Sequence, residues 1–431
     1  MKKVLILSYY WPPSGGAGVQ RWLKFVKYLR NFGWEPIVYT ALNGEMPVVD
    51  LSLEKDVPKD ITILKTKIWE PYSFYKTFIG RKKDEKINAS FLSESKKKSF
   101  SEKISVWIRG NYFIPDARKY WIKPSIKYLT EYLNKNKIDV VISTGPPHSM
   151  HLIALGLKQR FPNIKWMADF RDPWTNIDFY SELMLSESAD KKHKELELKV
   201  LENADSVVSI GNSMSEEFKK IYPKQTEKFS VITNGYDEDD ISKELIEKDK
   251  KFSIAHIGTL VKSRNPLGLW KVLQELVKEN ENLKNELEIK LVGKVDINVT
   301  ESIAAHGLQS FVKKIDYLPH NEVIKEQQRT RVLLLLVNDT KNSKGILTGK
   351  FFEYLASNVP ILAIGPTDGD LADILKVTGS GVISGFNDHA KLKTDILDLY
   401  SGKKINSNQE EIKKYSRLEL TRKLSGILNK L

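Results

Sequence analysis

The sequence predicts an α/β protein built from two parallel-sheet domains. Short apolar runs alternate with helical patterns along almost the whole chain, which is typical of α/β layers around parallel sheets. The alternation restarts after a short, highly charged stretch at residues 237–251. A length of 431 residues exceeds what one ordinary hydrophobic core holds together, so two domains are expected.

The first half of the chain contains seven runs with the character of strands. The run at residues 4–8 follows a basic start and is too short for a signal peptide, so we assign it to a buried strand of a parallel sheet. Helices are predicted at residues 22–32 and 191–203. The other strands predicted in this half are residues 36–40, 61–66, 140–144, 166–169, 206–210 and 229–233.

The second half repeats this alternation. A helix is predicted at residues 266–279, and strands are predicted at 252–257, 288–292, 314–317, 331–337 and 361–364. The predicted organisation is a domain at residues 1–240, a domain at residues 250–408 and a C-terminal helix at 409–431 that packs back across the cleft. Because ligands of open parallel sheets bind beyond the carboxyl ends of the strands, we expect the two sheet edges to face a central cleft.

Composition excludes several classes of protein. With 41% hydrophobic and 29% charged residues, the chain is expected to be globular. The absence of cysteine excludes disulfides, thiol catalysis and cysteine-bound metals. No apolar run is long enough to cross a bilayer, and a cytoplasmic location is expected. The net charge of +13 favours an anionic partner, although a solvated lysine-rich surface would also explain it. No nucleic-acid-binding motif is present, so no nucleic-acid partner is expected.

One segment, residues 72–120, departs from the strand and helix alternation. It combines several aromatic residues with two basic runs, Arg81-Lys82-Lys83 and Lys96-Lys97-Lys98. A basic insertion that carries aromatic rings is suited to an anionic membrane face, with the rings at the headgroup level. This would place the protein peripherally on the inner face of a membrane. The alternative is a surface loop with solvated charges, and the sequence leaves both open.

The stretch at residues 348–364 is the most informative part of the chain. Thr348 and Gly349 open a short helix, and the glycine lets the backbone approach a ligand closely. The free N–H groups of the first helical turn suit a diphosphate. Lys350 and Glu353 are three residues apart and project from nearly the same face. A cation for phosphate beside a carboxylate for a ribose diol indicates a nucleotide-sugar site; the alternative is an ordinary amphipathic helix.

Two further glycine-bearing loops are candidate anion sites. Gly258 follows the first strand of the second half, and Lys262 and Arg264 come shortly after it, where cations are well placed for a diphosphate. Gly16 lies in the loop after the first strand of the chain, before a helix whose N-terminus can accept an anion. This first loop lacks the G-x-G-x-x-G spacing, and no acid ends the second strand, so a Rossmann dehydrogenase is not predicted.

Polar side chains follow two strands of the first half. His148 comes after one of them, and Asp169, Arg171 and Asp172 come after the other. These residues are candidates for contacts with sugar hydroxyls or for acid–base chemistry. An ion pair of Arg171 with Asp169 or Asp172 that holds the loop is an equally good interpretation.

The acidic run at residues 237–240 has the composition of a metal site but not its context. It follows a strand-ending turn and precedes a polar helix, whose positive N-terminal end favours acids. We therefore predict no metal site in the chain.

Taken together and in order, these pieces resemble a GT-B fold glycosyltransferase of the retaining family 4 type, over nearly the full length of the chain. The resemblance implies two Rossmann-like domains, of which the second holds a UDP- or GDP-linked sugar and the first contributes the acceptor side. It also implies that no metal or other cofactor is needed, because fixed cations and a helix dipole stabilise the leaving group. The matching pieces are residues 12–16, 169–174, 234–237, Gly258 with its downstream cations, and 350–360.

The resemblance assigns roles to individual residues and exposes departures. Glu353 matches the later glutamate of the family's paired motif, which binds the donor ribose, and Arg264 with Lys262 matches the cations that neutralise the diphosphate. Gly345 stands where the earlier glutamate is expected, and Thr259 stands where the family has an arginine. Polar groups of the same loop that could substitute for the missing glutamate are Asp339, Asn342 and Ser343. The family's histidine near the second cleft strand is replaced by Arg171 or Asp172.

The activity implied is sugar transfer with retained anomeric configuration, in which the leaving diphosphate helps to deprotonate the acceptor and no protein nucleophile is required. The expected acceptor is a glycan or a lipid-linked molecule of a surface polysaccharide or glycolipid pathway. Two alternatives stay open: a catalytically impaired relative that still binds nucleotide, and a binder of anionic surfaces or nucleic acid.

Overall fold

The computed structural model describes residues 1–46, 48–70, 100–241, 244, 246–403 and 405–431. These residues form two compact units, one of residues 1–233 with 417–431 and one of residues 234–416. The chain thus divides at 233/234, just before the charged stretch in which the sequence placed the boundary. Most of the predicted basic insertion, residues 71–99, lies outside the described residues.

The first unit is built on a seven-stranded parallel sheet with the order β3-β2-β1-β4-β5-β6-β7. All seven predicted strands are present. Their bounds are β1 Lys2–Leu7, β2 Trp34–Ala41, β3 Thr62–Thr66, β4 Val140–Gly145, β5 Lys165–Phe170, β6 Ser206–Ser209 and β7 Phe229–Val231.

Helices cover this sheet, and the last helix of the chain is one of them. The helices of the first unit are α1 Ala17–Leu29, α2 Phe100–Tyr112, α3 Lys119–Lys135, α4 Ser149–Arg160, α5 Glu187–Asn203, α6 Asn212–Ile221 and, numbered last in the chain, α15 Arg417–Lys430. Leu420, Leu424 and Leu428 of α15 are buried in the core that α1 also enters. They recur every four residues and therefore share one helix face.

The second unit is built on a six-stranded parallel sheet with the order β10-β9-β8-β11-β12-β13. Its strands are β8 Phe252–Ile257, β9 Leu287–Val292, β10 Val312–Ile315, β11 Val332–Leu336, β12 Ile361–Ile364 and β13 Gly381–Ser384. Its helices are α7 Leu267–Glu279, α8 Glu281–Glu286, α9 Ile297–Ala305, α10 His320–Arg329, α11 Gly349–Ala356, α12 Asp370–Thr378, α13 His389–Tyr400 and α14 Gln409–Lys413.

Three sequence predictions about this unit differ from the structure. The strand β13 was not predicted, because four residues that begin with glycine carry too little periodicity. The strand predicted at 314–317 lies two residues earlier. The single C-terminal helix predicted from residue 409 is two helices. The interruption includes Ser416, which forms an isolated β-bridge with Tyr236.

In each sheet the first strand lies between its sequence neighbour and a later strand: β1 between β2 and β4, and β8 between β9 and β11. The chain changes winding direction at these positions, and ligands of such sheets bind beyond the strand ends there. The loops that follow β1, β4, β8 and β11 are therefore the places to look for a site. Among the described residues, no helix combines the length and apolar character needed to cross a membrane.

Candidate functional site

The candidate donor site lies at the carboxyl edge of the second sheet, where β8 gives way to Gly258. This residue has a φ of +116°, a conformation that only glycine adopts without strain. A Cβ at this position would lie 2.7 Å from Nζ of Lys350. The loop after β8 therefore contacts the first turn of α11 so closely that a larger residue would displace the lysine.

A second glycine, Gly293, allows the neighbouring loop to come equally close. Its φ is +100°, and a Cβ there would lie 3.3 Å from the Gly258 carbonyl group. The Gly258 N–H donates to the Val292 carbonyl over 2.8 Å. Gly293 was not singled out from the sequence; its position directly after a buried strand is the signal that could have found it.

The N-terminus of α11 is open to a ligand. Thr348 occupies the N-cap without a side-chain hydrogen bond to the helix. A Cβ on Gly349 would meet no heavy atom within 4 Å, so the space beside the first turn is empty. The first N–H groups of a helix have no intrahelical acceptors, and their partial positive charge attracts anions.

The same helix is anchored by its apolar side. Phe351, Phe352, Tyr354 and Leu355 are buried. The Tyr354 hydroxyl accepts a hydrogen bond from the Ile257 N–H over 3.2 Å, which ties α11 to the last residue of β8. The two interpretations of residues 348–356 are therefore compatible: core packing on one side of the helix positions Lys350 and Glu353 on the other.

Lys350 lies in an environment that disfavours its own charge. Burial, together with the nearby positive charge of Arg264, lowers the pKa of the half-buried Lys350 ammonium to about 8, although Glu353 acts in the opposite direction. Glu353 is itself half-buried and accepts a hydrogen bond from the Gln327 amide over 3.4 Å. Two cations beside one carboxylate leave an excess of positive charge, which a bound anion would balance.

A residue that the sequence analysis missed, His256, lies next to these cations. It is 1% exposed on β8. Burial and the charges of Lys350 and Arg264 hold its pKa well below 6.5, against the opposite influence of the Leu334 and Thr259 backbone. The ring is therefore neutral at physiological pH and adds no third positive charge. Its position two residues before Gly258 could have drawn attention to it.

The structure does not bring Lys262 to the same point as Arg264. Both belong to the short 3-10 turn Lys262–Arg264, but Lys262 is exposed. Its charge acts on Asp296, whose pKa is lowered first by hydrogen bonds from Asn298 and also by Lys262 and Lys294. Arg264 is thus the cation of this loop that shares an environment with Lys350.

A cavity of about 530 Å³ adjoins Arg264 at the same edge of the sheet. Its volume lies within the usual range for small-molecule sites. Asp339, Phe386 and His389 are among the residues that line it, and they follow β11, follow β13 and begin α13 respectively. The cavity wall therefore includes the Phe386 ring, the His389 imidazole and the Asp339 carboxylate, in addition to Arg264.

A depression of about 550 Å³ at the opposite, amino edge of the sheet is lined by Lys248 and Arg331, among other residues. The candidate site is the one at the carboxyl edge, because the Gly258 turn and the α11 N-terminus meet there.

In the first unit, Asp169 is the centre of a buried hydrogen-bond network. Its carboxylate accepts from Arg21 at 2.7 Å, from the Trp22 indole at 2.7 Å and from the Thr144 hydroxyl at 2.9 Å. Burial opposes ionisation, but Arg21 and the other donors outweigh it and lower the Asp169 pKa. The ion pair that holds this loop thus joins Asp169 to Arg21, not to Arg171, and it favours a structural role for Asp169.

Arg171 donates instead to backbone carbonyls of two neighbouring segments. It reaches the Gly18 carbonyl over 2.7 Å and also donates to the Pro146 carbonyl. Burial raises the pKa of Asp172, and the charge of Arg171 opposes that rise. Arg171 therefore fixes the start of α1 and the loop after β4 to the end of β5.

His148 lies at the N-terminus of α4 and is 8% exposed. Its ring stacks on the Trp174 ring, with 4.5 Å between centroids and 3° between planes. Burial, followed by the positive fields of His151, His193 and Arg171, holds its pKa well below 6.5. His148 is therefore a weak base, suited to hydrogen bonding with a neutral ligand more than to proton abstraction.

Gly16 is exposed and precedes α1 with a φ of +97° and open space around it. The described residues thus gather the predicted positions into two groups, one in each unit. Gly258, Arg264, Thr348, Gly349, Lys350 and Glu353 lie at one edge of the second sheet, and His148, Asp169, Arg171 and Asp172 lie at one edge of the first.

Three solved structures share this architecture over their whole length. A glycosyltransferase from Rickettsia africae ESF-5 has 16% identity and a TM-score of 0.62, covering 100% of this chain and 98% of that one. The lipopolysaccharide outer core galactosyltransferase WaaB has 12% identity and a TM-score of 0.61, with 100% of both chains covered. An E. coli structure described as trehalose-6-phosphate bound with UDP-2-fluoro glucose has 9% identity and a TM-score of 0.61, covering 100% and 99%.

At these identities the likeness shows the fold. The chain has the GT-B fold, with one Rossmann-like parallel sheet in each unit, as the sequence predicted. No protein-family model and no curated protein sequence matches the chain.

Proposed function

We propose that this protein is a retaining glycosyltransferase that moves a sugar from a UDP- or GDP-linked donor to a glycan or lipid-linked acceptor. One observation carries this proposal. Two positively charged side chains, half-buried Lys350 and Arg264, act on each other beside the Gly258 turn and the open N-terminus of α11. The fold, shared with glycosyltransferases and with a structure that holds a UDP-sugar analogue, supports it.

The proposed role of this group is to hold the donor diphosphate. Two cations and the first N–H groups of α11 are fixed before the ligand arrives, so little reorganisation is needed as negative charge develops on the leaving group. Lys350 gains most from this contact, since a diphosphate adds negative charge where burial and Arg264 outweigh the effect of Glu353. This arrangement is the reason to expect transfer without a metal.

Glu353 is proposed to bind the donor ribose, and the cavity beside Arg264 is proposed to accept the base. Both lie on the same sheet edge as the cations, and a carboxylate is a strong acceptor for a diol. The acceptor side is assigned to the first unit, where His148 and Asp172 are the polar groups at the strand ends.

Calorimetry with UDP and GDP on wild type and on Glu353→Ala tests the donor site. We expect one nucleotide to bind wild type, and Glu353→Ala to weaken that binding by about 1.5–3 kcal/mol, since a hydrogen bond to a charged group is lost. Glu281→Ala, which removes an exposed carboxylate of the same unit, is the control and should bind as wild type does. Failure of wild type to bind either nucleotide would remove the basis of the proposal.

Turnover and stereochemistry are tested with a panel of nucleotide sugars and acceptors. The anomeric configuration of the product, read by NMR, should be that of the donor, and a chelator should leave the rate unchanged. Inverted product or chelator-sensitive turnover would contradict the proposed mechanism.

A second candidate is a relative that binds nucleotide but does not transfer sugar. It is motivated by Gly345 and Thr259, which stand where charged residues were expected. Against it, Asp339 lines the donor-side cavity and supplies a carboxylate from the same loop. Nucleotide binding without turnover over the whole panel would favour this candidate, whereas turnover that falls in Asp339→Asn with nucleotide affinity retained would exclude it.

A further inference from the structure

The described part of the first unit carries a cluster of large apolar side chains, most of them aromatic and exposed, here called the aromatic patch and defined as Trp69, Trp107, Ile108, Tyr112, Phe113 and Tyr120. Trp69 and Tyr112 are each 61% exposed, Trp107 is 49% exposed and Tyr120 is 41% exposed. Large rings exposed together are unusual on a protein surface and mark a place where something binds.

Four of these rings are in mutual contact. Trp69 and Tyr120 meet edge to face with 5.2 Å between centroids, and Phe113 lies 5.4 Å from Tyr112 and 6.3 Å from Tyr120. These four rings, Trp69, Tyr112, Phe113 and Tyr120, therefore form a continuous surface across two segments of the chain.

A lysine lies within this cluster. Nζ of Lys119 is 4.0 Å from the centroid of Tyr112, 5.1 Å from that of Tyr120 and 5.3 Å from that of Phe113. It also donates to the Tyr112 carbonyl. The patch thus presents a positive charge at the level of its rings.

The helix that carries Trp107 and Tyr112 is held firmly. The Asn111 amide donates to the Met184 carbonyl over 3.0 Å and accepts from the Ser186 N–H over 2.7 Å. A Cβ on Gly110 would lie 2.6 Å from the Leu183 carbonyl oxygen, so only glycine allows this close approach. Fixed in this way, α2 places Ile108 and Tyr112, four residues apart, on one exposed side beside Trp107. The side chain of Met184 extends the apolar surface, since it is 48% exposed.

Cations outnumber acids along this part of the chain. The cations of residues 100–127 are Lys103, Arg109, Arg118, Lys119, Lys123 and Lys127, and the acids are Glu102 and Asp116. Asp116 accepts hydrogen bonds from the Ser149 backbone and hydroxyl, and Arg118 is paired with Glu70. The remaining excess of positive charge favours a negatively charged partner surface.

We propose that the aromatic patch docks on the surface of an anionic lipid bilayer, with its rings at the level of the headgroups. Tryptophan and tyrosine rings prefer the membrane interface, and cations interleaved with them are attracted to anionic lipid. The proposal goes beyond glycosyl transfer and does not depend on it. Of the segment 72–120 for which the sequence indicated a membrane surface, the proposal keeps residues 107–120, and it adds Trp69.

Vesicle cosedimentation of the full chain without donor or acceptor tests the proposal. Wild type should bind vesicles containing roughly one third phosphatidylglycerol more tightly than pure phosphatidylcholine vesicles. Trp107→Ser combined with Tyr112→Ser should weaken binding to the anionic vesicles roughly tenfold or more. Lys119→Glu should weaken it at least about fivefold and leave binding to phosphatidylcholine unchanged.

The matched control is Ile297→Ser combined with Tyr317→Ser. These two side chains, 66% and 87% exposed, lie on the second unit, so exposed apolar surface is removed there instead of from the patch. The control should bind vesicles as wild type does. Quenching of tryptophan fluorescence by brominated lipid gives a second readout that needs no destabilising change. The quenching seen in wild type should be reduced in Trp107→Phe.

Equal vesicle binding by wild type and both patch variants would overturn the proposal. So would equal losses in the patch and control variants. A patch variant that changed the oligomeric state measured by light scattering, with vesicle binding unchanged, would assign the patch to a second copy of the chain instead.

Discussion

At the scale of single residues, Lys350 shows how backbone geometry sets side-chain chemistry. The Gly258 turn leaves just enough room for the lysine Nζ, and Arg264 places a second positive charge nearby. The result is a cation whose pKa is about 8, not the usual 10.5. Such a group responds to pH and to anions within the physiological range.

Diphosphate affinity should therefore depend on pH. A bound anion favours the charged form, so UDP or GDP binding raises the Lys350 pKa, and affinity should fall as the pH rises through about 8. Calorimetry in buffers of different ionisation enthalpy should show proton uptake on binding above that pH. Lys350→Arg keeps its charge throughout and should lose most of this dependence. Equal pH dependence in wild type and Lys350→Arg would contradict the assignment.

Asp169 should contribute strongly to stability. Asp169→Asn leaves Arg21 buried without its counter-charge and should lower the free energy of unfolding by about 3–5 kcal/mol. Because the folded pKa is depressed, the wild-type contribution is present above the unfolded pKa, about 3.9, and is lost as the pH falls through the lower folded value. Chemical denaturation at neutral and acid pH measures both effects. Asp60→Asn, at an exposed carboxylate of the same unit, should change the free energy of unfolding little. A similar loss of stability in both variants would contradict the role given to Asp169.

At the scale of elements, α11 joins packing to binding. Its eight residues include four buried side chains and the two charged groups of the candidate site, so the helix cannot shift without moving both. The Tyr354 hydrogen bond to Ile257 fixes the distance between the helix and the end of β8. A short helix of this kind owes its stability to tertiary packing more than to propensity.

Tyr354→Phe tests this coupling. The change keeps the ring but leaves the buried Ile257 N–H without its acceptor, so the free energy of unfolding should fall by about 1–3 kcal/mol. Nucleotide affinity should fall as well, because the helix N-terminus and the Gly258 turn are no longer held together. Tyr317→Phe, at an exposed ring, is the control for loss of a hydroxyl. Unchanged affinity in Tyr354→Phe would show that the turn and the helix are positioned independently.

At the scale of the whole molecule, the chain begins and ends in the same unit. The last helix, α15, supplies Leu420, Leu424 and Leu428 to a core built mostly from the first 60 residues and the strands that follow. Residues near the C-terminus are thus as much a part of the first unit as its first strand.

Leu424→Ala should consequently destabilise the first unit and spare the donor site. Truncation of this buried side chain should lower the free energy of unfolding by about 2–5 kcal/mol. The UDP or GDP dissociation constant should stay within a factor of about two, because every proposed donor contact of the second unit lies within residues 256–389. Val377→Ala, at an exposed aliphatic residue of the second unit that does not line the cavity beside Arg264, serves as the control for both measurements.

The sequence predicted the elements and residues whose pattern lies within a short segment of the chain, and it missed those that depend on distant neighbours. Strands such as Phe252–Ile257 and Val332–Leu336 are continuous apolar runs, and they were found because burial on both faces leaves no other pattern. The short strand Gly381–Ser384 was missed because its identity rests on pairing with β12. Likewise, Lys350 and Glu353 were found from their spacing within one helical turn, whereas His256 and Gly293 acquire their meaning only from neighbours distant in the chain.

The sequence by itself determined the α/β class, the two-unit plan and the helix that carries Lys350 and Glu353, because strand burial, helical spacing and glycine turns are properties of short segments. Only the tertiary structure decided which charges interact: Asp169 pairs with Arg21 instead of Arg171, the charge of Arg264 acts on Lys350 while that of Lys262 acts on Asp296, and the last helix belongs to the first unit. The physical reason is that a charge acts through space over a few ångströms, and the folding of the sheets, not the distance along the chain, sets those separations.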